Sequence, residues 1–251
     1  MPRQPRQQSQ SGIYHLILRG INRQVIFEEN EDRGRFLWCL QHYKEVSDYT
    51  VYGYCLMNNH IHLLIKEGRE TIAEAMKRIG VSYVSWFNRK YGRCGHLFQD
   101  RFKSEAIETD EYFLMVLRYI HQNPIKIGEE QEMETYPWSS YREYIEKSRL
   151  IDSDFALGML SPEPQVAIKR FHRFMNEKAE DIKIIVHGKL TDKEAKLEIQ
   201  RIAELARPTE IQIMEKGKRD EVLRQIKKID GISTRQIARL TGISQSVVTR
   251  T

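Results

Sequence analysis

The stretch Met57–Ile65, MNNHIHLLI, places two histidines, His60 and His62, one residue apart in an apolar run. Alternate side chains of a β-strand point to the same face of its sheet, so this spacing directs both imidazoles to one side. Ile61 and Leu63 then face the other side, into a core. Two neighbouring imidazoles can bind one divalent metal ion, or they can be polar groups on a solvent-facing strand. The flanking sequence has to distinguish these two interpretations.

The flanking hydrophobic patterns predict an α+β fold. After the last predicted strand, Thr109 can cap a helix that starts at Asp110. This helix should end at Asn123-Pro124, since the residue before a proline disfavours the helical region. The aromatic segment Tyr136–Ile145 is expected to fold back on this domain. The elements before the Asp110 helix follow the order strand, helix, strand, strand, helix and strand. This is the order of the ferredoxin-like βαββαβ fold, an antiparallel sheet with two helices on one face. The predicted elements are Ile13–Leu18, Glu31–Val46, Thr50–Leu56, His60–Ile65, Thr71–Tyr91 and Lys103–Glu108.

The composition beyond the sheet predicts several regions. Residues 1–11 are basic and polar and are expected to form a flexible tail. The sheet domain covers 12–146, after which aromatic residues become rare and charged helix formers dominate. We therefore expect a helical linker region at 147–214, with helices at Val166–Ala179 and Thr191–Ala206, followed by a helix-turn-helix region at 215–251.

The last region predicts a helix over Asp220–Lys228, a second helix capped by Ser233, and a third from Gln245 to Arg250. A Gly-containing turn between two short helices is typical of helix-turn-helix proteins, which bind duplex DNA through polar side chains at base edges. A plain three-helix bundle that packs on the first domain is the alternative. Because the sequence ends at Thr251, we expect the recognition helix to be truncated or frayed. The candidate base-reading residues are Ser244, Gln245, Ser246 and Thr249.

The overall composition narrows the class of protein. The chain has 251 residues, of which 40% are hydrophobic and 30% charged, so it should fold. A net charge of +5 suits a polyanionic partner. Three widely spaced cysteines, Cys39, Cys55 and Cys94, indicate neither a zinc ribbon nor a disulfide framework, and we expect a reducing cytoplasm with buried or partly buried thiols. The sequence has no secretory signal and no apolar run of about 20 residues, so we expect a cytoplasmic protein without a membrane partner.

Tyr112 is a candidate nucleophile. It follows Thr109 in the first turn of a predicted helix, where the positive end of the helix dipole favours a phosphate. A metal ion on the histidine pair would act as a Lewis acid on a phosphodiester, with water or Tyr112 as the attacking group. The phenol has an ordinary pKa near 10, so it needs a base or hydrogen-bond acceptor close by. Glu105 and Glu108 are the candidates for this role.

Several segments together carry a family resemblance. They are the His60-Ile61-His62 motif and the stretches YHLILRGINRQVIF (14–27), GHLFQDRFKSEAI (95–107) and YIHQNP (119–124). Residues 12–145 resemble the IS200-like single-tyrosine HUH transposases, especially their REP-associated relatives. The resemblance implies that His60 and His62 bind Mg²⁺ or Mn²⁺. It also implies that Tyr112 attacks single-stranded DNA, with a 5′-phosphotyrosine and a free 3′-OH as products. A second 3′-OH would reverse the step and join the ends.

The metal site departs from the family pattern. In some relatives a glutamine one turn after the tyrosine completes the site, but the residue at that offset here is Val116. Tyr119 competes with Tyr112 for the nucleophilic role, although its aromatic surroundings favour packing. His121, Asn123, Asn59 or water remain as possible third ligands.

DNA contacts are expected around this site. The partner implied by the resemblance is single-stranded DNA containing a hairpin, with the protein acting as a monomer or a homodimer. Two other functions remain open: a duplex-binding regulator whose first domain is catalytically idle, and a nickase for replication or plasmid transfer. The nickase is disfavoured because the sequence contains no GxxxxGK[ST] helicase motif. The residues expected to contact phosphates or bases are Arg19, Asn22, Arg23, Arg101 and Lys103.

Overall fold

The computed structural model describes residues 8–126, 128, 132–177, 192–227, 229 and 232–251. Within them a four-stranded sheet has the order β2-β3-β1-β4, and every neighbouring pair is antiparallel. Two helices, α1 and α2, connect its strands. The predicted ferredoxin-like α+β fold is confirmed. The elements are β1 Ile13–Arg19, α1 Asn30–Ser47, β2 Thr50–Met57, β3 His60–Lys66, α2 Ile72–Lys90 and β4 Lys103–Ile107.

The two faces of the sheet are covered by different helices. Ile61 and Leu63 are completely buried on one face, in the same core as Phe36 of α1 and Ile79 of α2. α1 and α2 also pack against each other. The opposite face, which carries the histidines, lies under α3 (Asp110–Lys126). The predicted hairpin therefore directs its imidazoles towards a covered face rather than towards solvent.

The start of α3 agrees with the prediction, but its end does not. The Thr109 hydroxyl accepts a hydrogen bond from the Tyr112 backbone amide at 3.2 Å. The helix continues through Pro124 to Lys126, so the predicted end at Asn123-Pro124 is wrong. A proline in the last turn removes only one backbone hydrogen bond. The Asn123 side-chain amide adds another by donating to the Tyr119 carbonyl at 2.9 Å.

The segment Tyr136–Ile145 folds back along the edge of β2, as predicted. The Leu56 amide donates to the Trp138 carbonyl at 2.9 Å, and the Ser140 amide donates to the Tyr54 carbonyl at 3.0 Å. α4 (Tyr141–Ile145) follows directly. These bonds satisfy backbone groups that an open sheet edge would leave unpaired.

The chain divides into two compact units, Met1–Ile184 and Ile185–Thr251. This division differs from the predicted linker at 147–214, because Phe171 and Met175 of its first half are completely buried in the core of unit 1. Predicted helix ends at 178–179, 191 and 228 lie outside the described residues. Unit 1 contains α5 Ser153–Leu160 and α6 Pro164–Asn176, and unit 2 contains α7 Asp192–Ala203, α8 Lys216–Lys227, α9 Thr234–Thr241 and α10 Gln245–Arg250.

Unit 2 has its own small core, which includes Ile237 and Val248. The Ser233 hydroxyl caps α9 by accepting a hydrogen bond from the Gln236 amide at 3.1 Å, as predicted. Gly242 ends α9 in the left-handed conformation, with φ of 73°, which glycine adopts without steric cost. The order of α9, the Gly242 turn and α10 thus follows from a cap, a glycine and an apolar pattern.

Part of the N-terminal segment is anchored. The Ser9 amide donates to the Tyr14 hydroxyl at 2.9 Å, and the Ser11 hydroxyl donates to the Ile107 carbonyl. The described end of the predicted flexible tail is therefore fixed to the sheet, while residues 1–7 lie outside the described part.

The three cysteines form no disulfide. Cys39 and Cys55 are buried, as predicted, but Cys94 is exposed, so the prediction of a buried or partly buried thiol is wrong there. Its loop turns at Gly95, where φ is positive, and leaves the side chain in solvent. No helix in the described residues is both long and apolar enough to cross a membrane.

Candidate active site at the histidine pair

Strand register gathers five polar side chains on the face below α3. Arg19 lies opposite His60, and His15 lies opposite Glu105 on the other neighbouring strand. His15 and Arg19 share a face because they are four residues apart in β1, and His60 and His62 share a face because they are two residues apart in β3. The result is a row of imidazoles bordered by a guanidinium at one end and a carboxylate at the other.

His60 has its Nδ1 atom engaged and its Nε2 atom available. Nδ1 lies 2.7 Å from the Asn59 side-chain oxygen, which can only accept, so His60 carries its proton on Nδ1. Burial, reinforced by the positive charge of Arg19, lowers the pKa of His60 to about 4. The ring is therefore neutral near pH 7, the form in which imidazole binds a metal.

His62 is almost completely buried, and its Nδ1 lies 2.9 Å from Nε2 of His15. Burial, together with the nearby His15, His60 and Arg19, holds the pKa of His62 well below its ordinary value. The rings of His60 and His62 are 5.1 Å apart at their centroids. This spacing fits two imidazoles that bind one divalent ion through their Nε2 atoms, so the predicted pair is suited to hold a metal.

The tyrosine in contact with the pair is Tyr119. Its ring meets that of His62 edge to face, with centroids 5.5 Å apart, and that of His15 at 6.1 Å. Tyr112 lies two turns earlier on α3, about 10 Å along the helix, where its hydroxyl donates to Glu105. The structure therefore brings Tyr119, and not the predicted Tyr112, to the histidines.

Local charge also distinguishes the two phenols. Burial raises the pKa of Tyr119 to about 12, while a hydrogen bond from Asn123 and the positive charge of Arg19 act to lower it. Burial also raises the pKa of Tyr112, and the Glu105 carboxylate raises it further. Burial therefore opposes the phenolate at both tyrosines; Asn123 and Arg19 offset part of this effect at Tyr119, whereas Glu105 adds to it at Tyr112.

Two of the possible third ligands have other roles. His121 is fully buried, and its Nε2 lies 2.8 Å from the Ser140 hydroxyl. The side-chain oxygen of Asn59 already accepts from His60. Val116, which is completely buried, occupies the offset one turn after Tyr112.

Asn123 occupies the corresponding position one turn after Tyr119. It is 5% exposed, and its amide lies close enough to the phenol to donate a hydrogen bond. No group of three His, Cys, Asp or Glu among the described residues could hold a metal ion. An amide such as that of Asn123, or water, would have to complete the site.

The predicted DNA-contacting residues lie at the end of β1, at the start of β4 and in the segments next to these strands. The Gln99 amide donates to the Arg19 carbonyl at 2.8 Å, which brings the loop before β4 alongside the end of β1. Arg19 is half-buried. The other four residues are exposed, namely Asn22, Arg23, Arg101 and Lys103.

The predicted base-reading residues lie in unit 2. Ser244, Gln245, Ser246 and Thr249 are all exposed at the start of α10 or along it. This unit carries 14 basic residues (Lys and Arg) and nine acidic ones (Asp and Glu), whereas residues 1–184 carry 26 basic and 26 acidic residues. The whole net charge of +5 therefore belongs to unit 2.

Residues 8–123 match the family model described as "Transposase IS200 like". A solved structure of a REP-associated tyrosine transposase bound to a REP hairpin superposes with a TM-score of 0.51 at 18% sequence identity, covering 61% of this chain and 90% of that one. No curated protein sequence matches the chain significantly. The family resemblance inferred from the sequence is confirmed: the chain carries a transposase domain of the IS200-like family. Unit 2 lies outside the residues that the family model matches.

Proposed function

We propose that this transposase cleaves and rejoins single-stranded DNA through a covalent 5′-phosphotyrosine on Tyr119. The observation that carries the proposal is the contact between the Tyr119 ring and His62, whose partner His60 has its Nε2 available. We further propose that His60 and His62 bind Mg²⁺ or Mn²⁺. When bound, such an ion supplies Lewis-acid polarisation of the scissile phosphate and stabilises the departing 3′-oxygen.

In this mechanism Arg19 and Asn123 stabilise the Tyr119 phenolate as the phenol loses its proton. The phenolate oxygen attacks phosphorus, the bond from phosphorus to the 3′-oxygen breaks, and that oxygen takes up a proton. The attack of another strand's 3′-OH on the tyrosyl phosphodiester reverses these changes and releases Tyr119. Both steps exchange one phosphodiester for another, so no external energy source is needed.

The proposed substrate is a single strand that contains a hairpin. The structural relative is bound to a REP hairpin, and the exposed basic residues near the end of β1 and the start of β4 suit a phosphate backbone.

The test compares two matched variants, Tyr119→Phe and Tyr112→Phe. The full chain is incubated with Mn²⁺ and a labelled, hairpin-flanked single strand, and covalent adducts are separated on a denaturing gel. We expect the wild type and Tyr112→Phe to form the adduct and Tyr119→Phe to form none. An adduct that survives Tyr119→Phe but disappears in Tyr112→Phe would return the nucleophilic role to the tyrosine first predicted.

A second candidate function is duplex-DNA binding by unit 2. The concentration of the net positive charge there, with four exposed polar side chains near α10, favours it. If unit 2 acts as a regulator while the first domain is idle, duplex binding should fall with salt and survive His60→Ala and His62→Ala, and no adduct should form. Adduct formation together with an absence of duplex binding would exclude this function.

A further inference from the structure

A chain of polar groups leads from Tyr112 to Nδ1 of His62, the ring nitrogen opposite the proposed metal-binding Nε2. The Tyr112 hydroxyl donates to Oε1 of Glu105, and Oε2 of Glu105 lies 3.6 Å from Nδ1 of His15. His15 is 1% exposed, and its Nε2 lies 2.9 Å from Nδ1 of His62. The metal ligands and DNA contacts predicted from the sequence do not include His15.

The bond between the two imidazoles has good geometry. Their planes differ by only 17°, and their centroids are 5.2 Å apart. That separation is what two such rings give when their nitrogens meet in a straight line at 2.9 Å. The rings therefore lie edge to edge, with the hydrogen bond in both planes, rather than stacked face to face. A bond of this kind fixes the orientation of both rings.

The charge of Glu105 selects the direction of this chain. A neutral imidazole has one donor nitrogen and one acceptor nitrogen. A carboxylate facing Nδ1 of His15 favours a proton there, which leaves Nε2 of His15 as an acceptor. That acceptor requires the proton of His62 to be on Nδ1, so Nε2 of His62 keeps its lone pair. At 3.6 Å the contact between His15 and Glu105 is longer than a hydrogen bond, and neither Nδ1 of His15 nor Oε2 of Glu105 has a hydrogen-bond partner among the described residues, so the carboxylate acts on Nδ1 through its charge.

We propose that Glu105 and His15 are positioning residues that hold His62 in its metal-binding tautomer, with Tyr112 anchoring the Glu105 carboxylate. The proposal rests on the metal site of the proposed function and adds residues to it. It gives Tyr112 a supporting role two helical turns from the nucleophile. Without the carboxylate, the direction of hydrogen-bond donation from His62 to His15 can reverse. Nε2 of His62 then carries a proton where a metal would need a lone pair.

The first test reads the tautomer directly in the metal-free protein. Long-range ¹H–¹⁵N spectra with labelled histidines distinguish protonated from unprotonated ring nitrogens. We expect His62 to be protonated on Nδ1 in the wild type. Glu105→Gln should increase the Nε2-protonated form, because the glutamine amide can donate to His15. Glu111→Gln, an exposed neighbour on α3, serves as the matched control and should leave the spectrum unchanged. A wild-type His62 protonated on Nε2 would overturn the proposal.

The second test measures Mn²⁺ binding by electron paramagnetic resonance of the free ion. His15→Phe keeps a flat ring but offers no acceptor, and we expect it to weaken binding by about 10- to 100-fold. His15→Gln supplies a side-chain oxygen that can accept from Nδ1 of His62, so it should restore most of the affinity. Equal affinities for the wild type and a folded His15→Phe would contradict the proposal.

The two tests separate this inference from the proposed function. If the folded wild type binds no Mn²⁺ yet shows the expected His62 tautomer and its shift in Glu105→Gln, the positioning chain stands and the metal site of the proposed function fails. If Mn²⁺ binds and the Tyr119 adduct forms, but Glu105→Gln and His15→Phe change neither tautomer nor affinity, the proposed function stands and the positioning chain fails.

Discussion

Acid should destabilise unit 1 through His121. Burial alone lowers the pKa of this histidine from 6.5 to about 3. In the unfolded chain the same ring takes up a proton near its ordinary pKa, so below that pH the unfolded state binds more protons than the folded state. The stability contributed by the neutral buried ring is therefore complete above the unfolded pKa and falls as the pH decreases towards the folded pKa.

The size of this loss in stability follows from how far the pH lies below the unfolded pKa of His121. At about pH 4.5, roughly two units below the unfolded pKa, the loss amounts to about 3 kcal/mol relative to about pH 7.5. His121→Gln removes the titrating group and keeps a polar side chain opposite the Ser140 hydroxyl. We therefore expect the wild type to lose about 3 kcal/mol more than the variant over this range.

Urea unfolding followed by tryptophan fluorescence measures this difference. All three tryptophans, Trp38, Trp86 and Trp138, lie in unit 1, so the signal reports the unit that contains His121. Equal pH dependence in the wild type and His121→Gln would refute the reasoning. A large loss of Mn²⁺ affinity in the variant would instead make His121 a ligand rather than a core residue.

Three further changes have defined outcomes. Gly53→Ala places a methyl group 2.7 Å from Cδ1 of Leu117, so the free energy of unfolding, measured with urea, should fall by about 1–3 kcal/mol. Gly34→Ala is the control: its methyl group meets no atom within 4 Å, so it should not destabilise the protein. Gly242→Ala forces a residue with φ of 73° into the left-handed region, so unit 2 should lose about 1 kcal/mol or more, visible in circular dichroism melts. If Arg101 contacts a phosphate, Arg101→Ala should reduce the slope of log affinity for single-stranded DNA against log salt by about 0.7, and an unchanged slope would exclude that contact.

Local patterns along the chain predict the sheet. Alternating apolar residues, a two-asparagine turn and helical spacing predicted the positions of all four strands and of the two connecting helices, because these signals are local along the chain. The same local pattern placed His60 and His62 on one face. The start of α3 and the cap of α9 were also readable, since each cap depends on residues within one turn.

Long-range packing selects which tyrosine contacts the histidine pair. Tyr112 and Tyr119 are seven residues apart and lie on the same face of α3, so helical periodicity does not distinguish them. The choice depends on how far α3 is displaced along the sheet, which long-range packing sets. The spacing of Tyr119 and Asn123, one helical turn apart, is the sequence feature that favours Tyr119.

His15 illustrates the same limit. In the sequence it is one histidine within a strand, 47 residues from His62. The antiparallel register of β1 with β3 and β4 brings it between His62 and Glu105, and that register depends on pairing between distant segments. Local patterns thus predicted the histidine pair and the fold. The residues that contact the pair are visible only in the tertiary structure, since those contacts form only once the sheet and α3 are assembled.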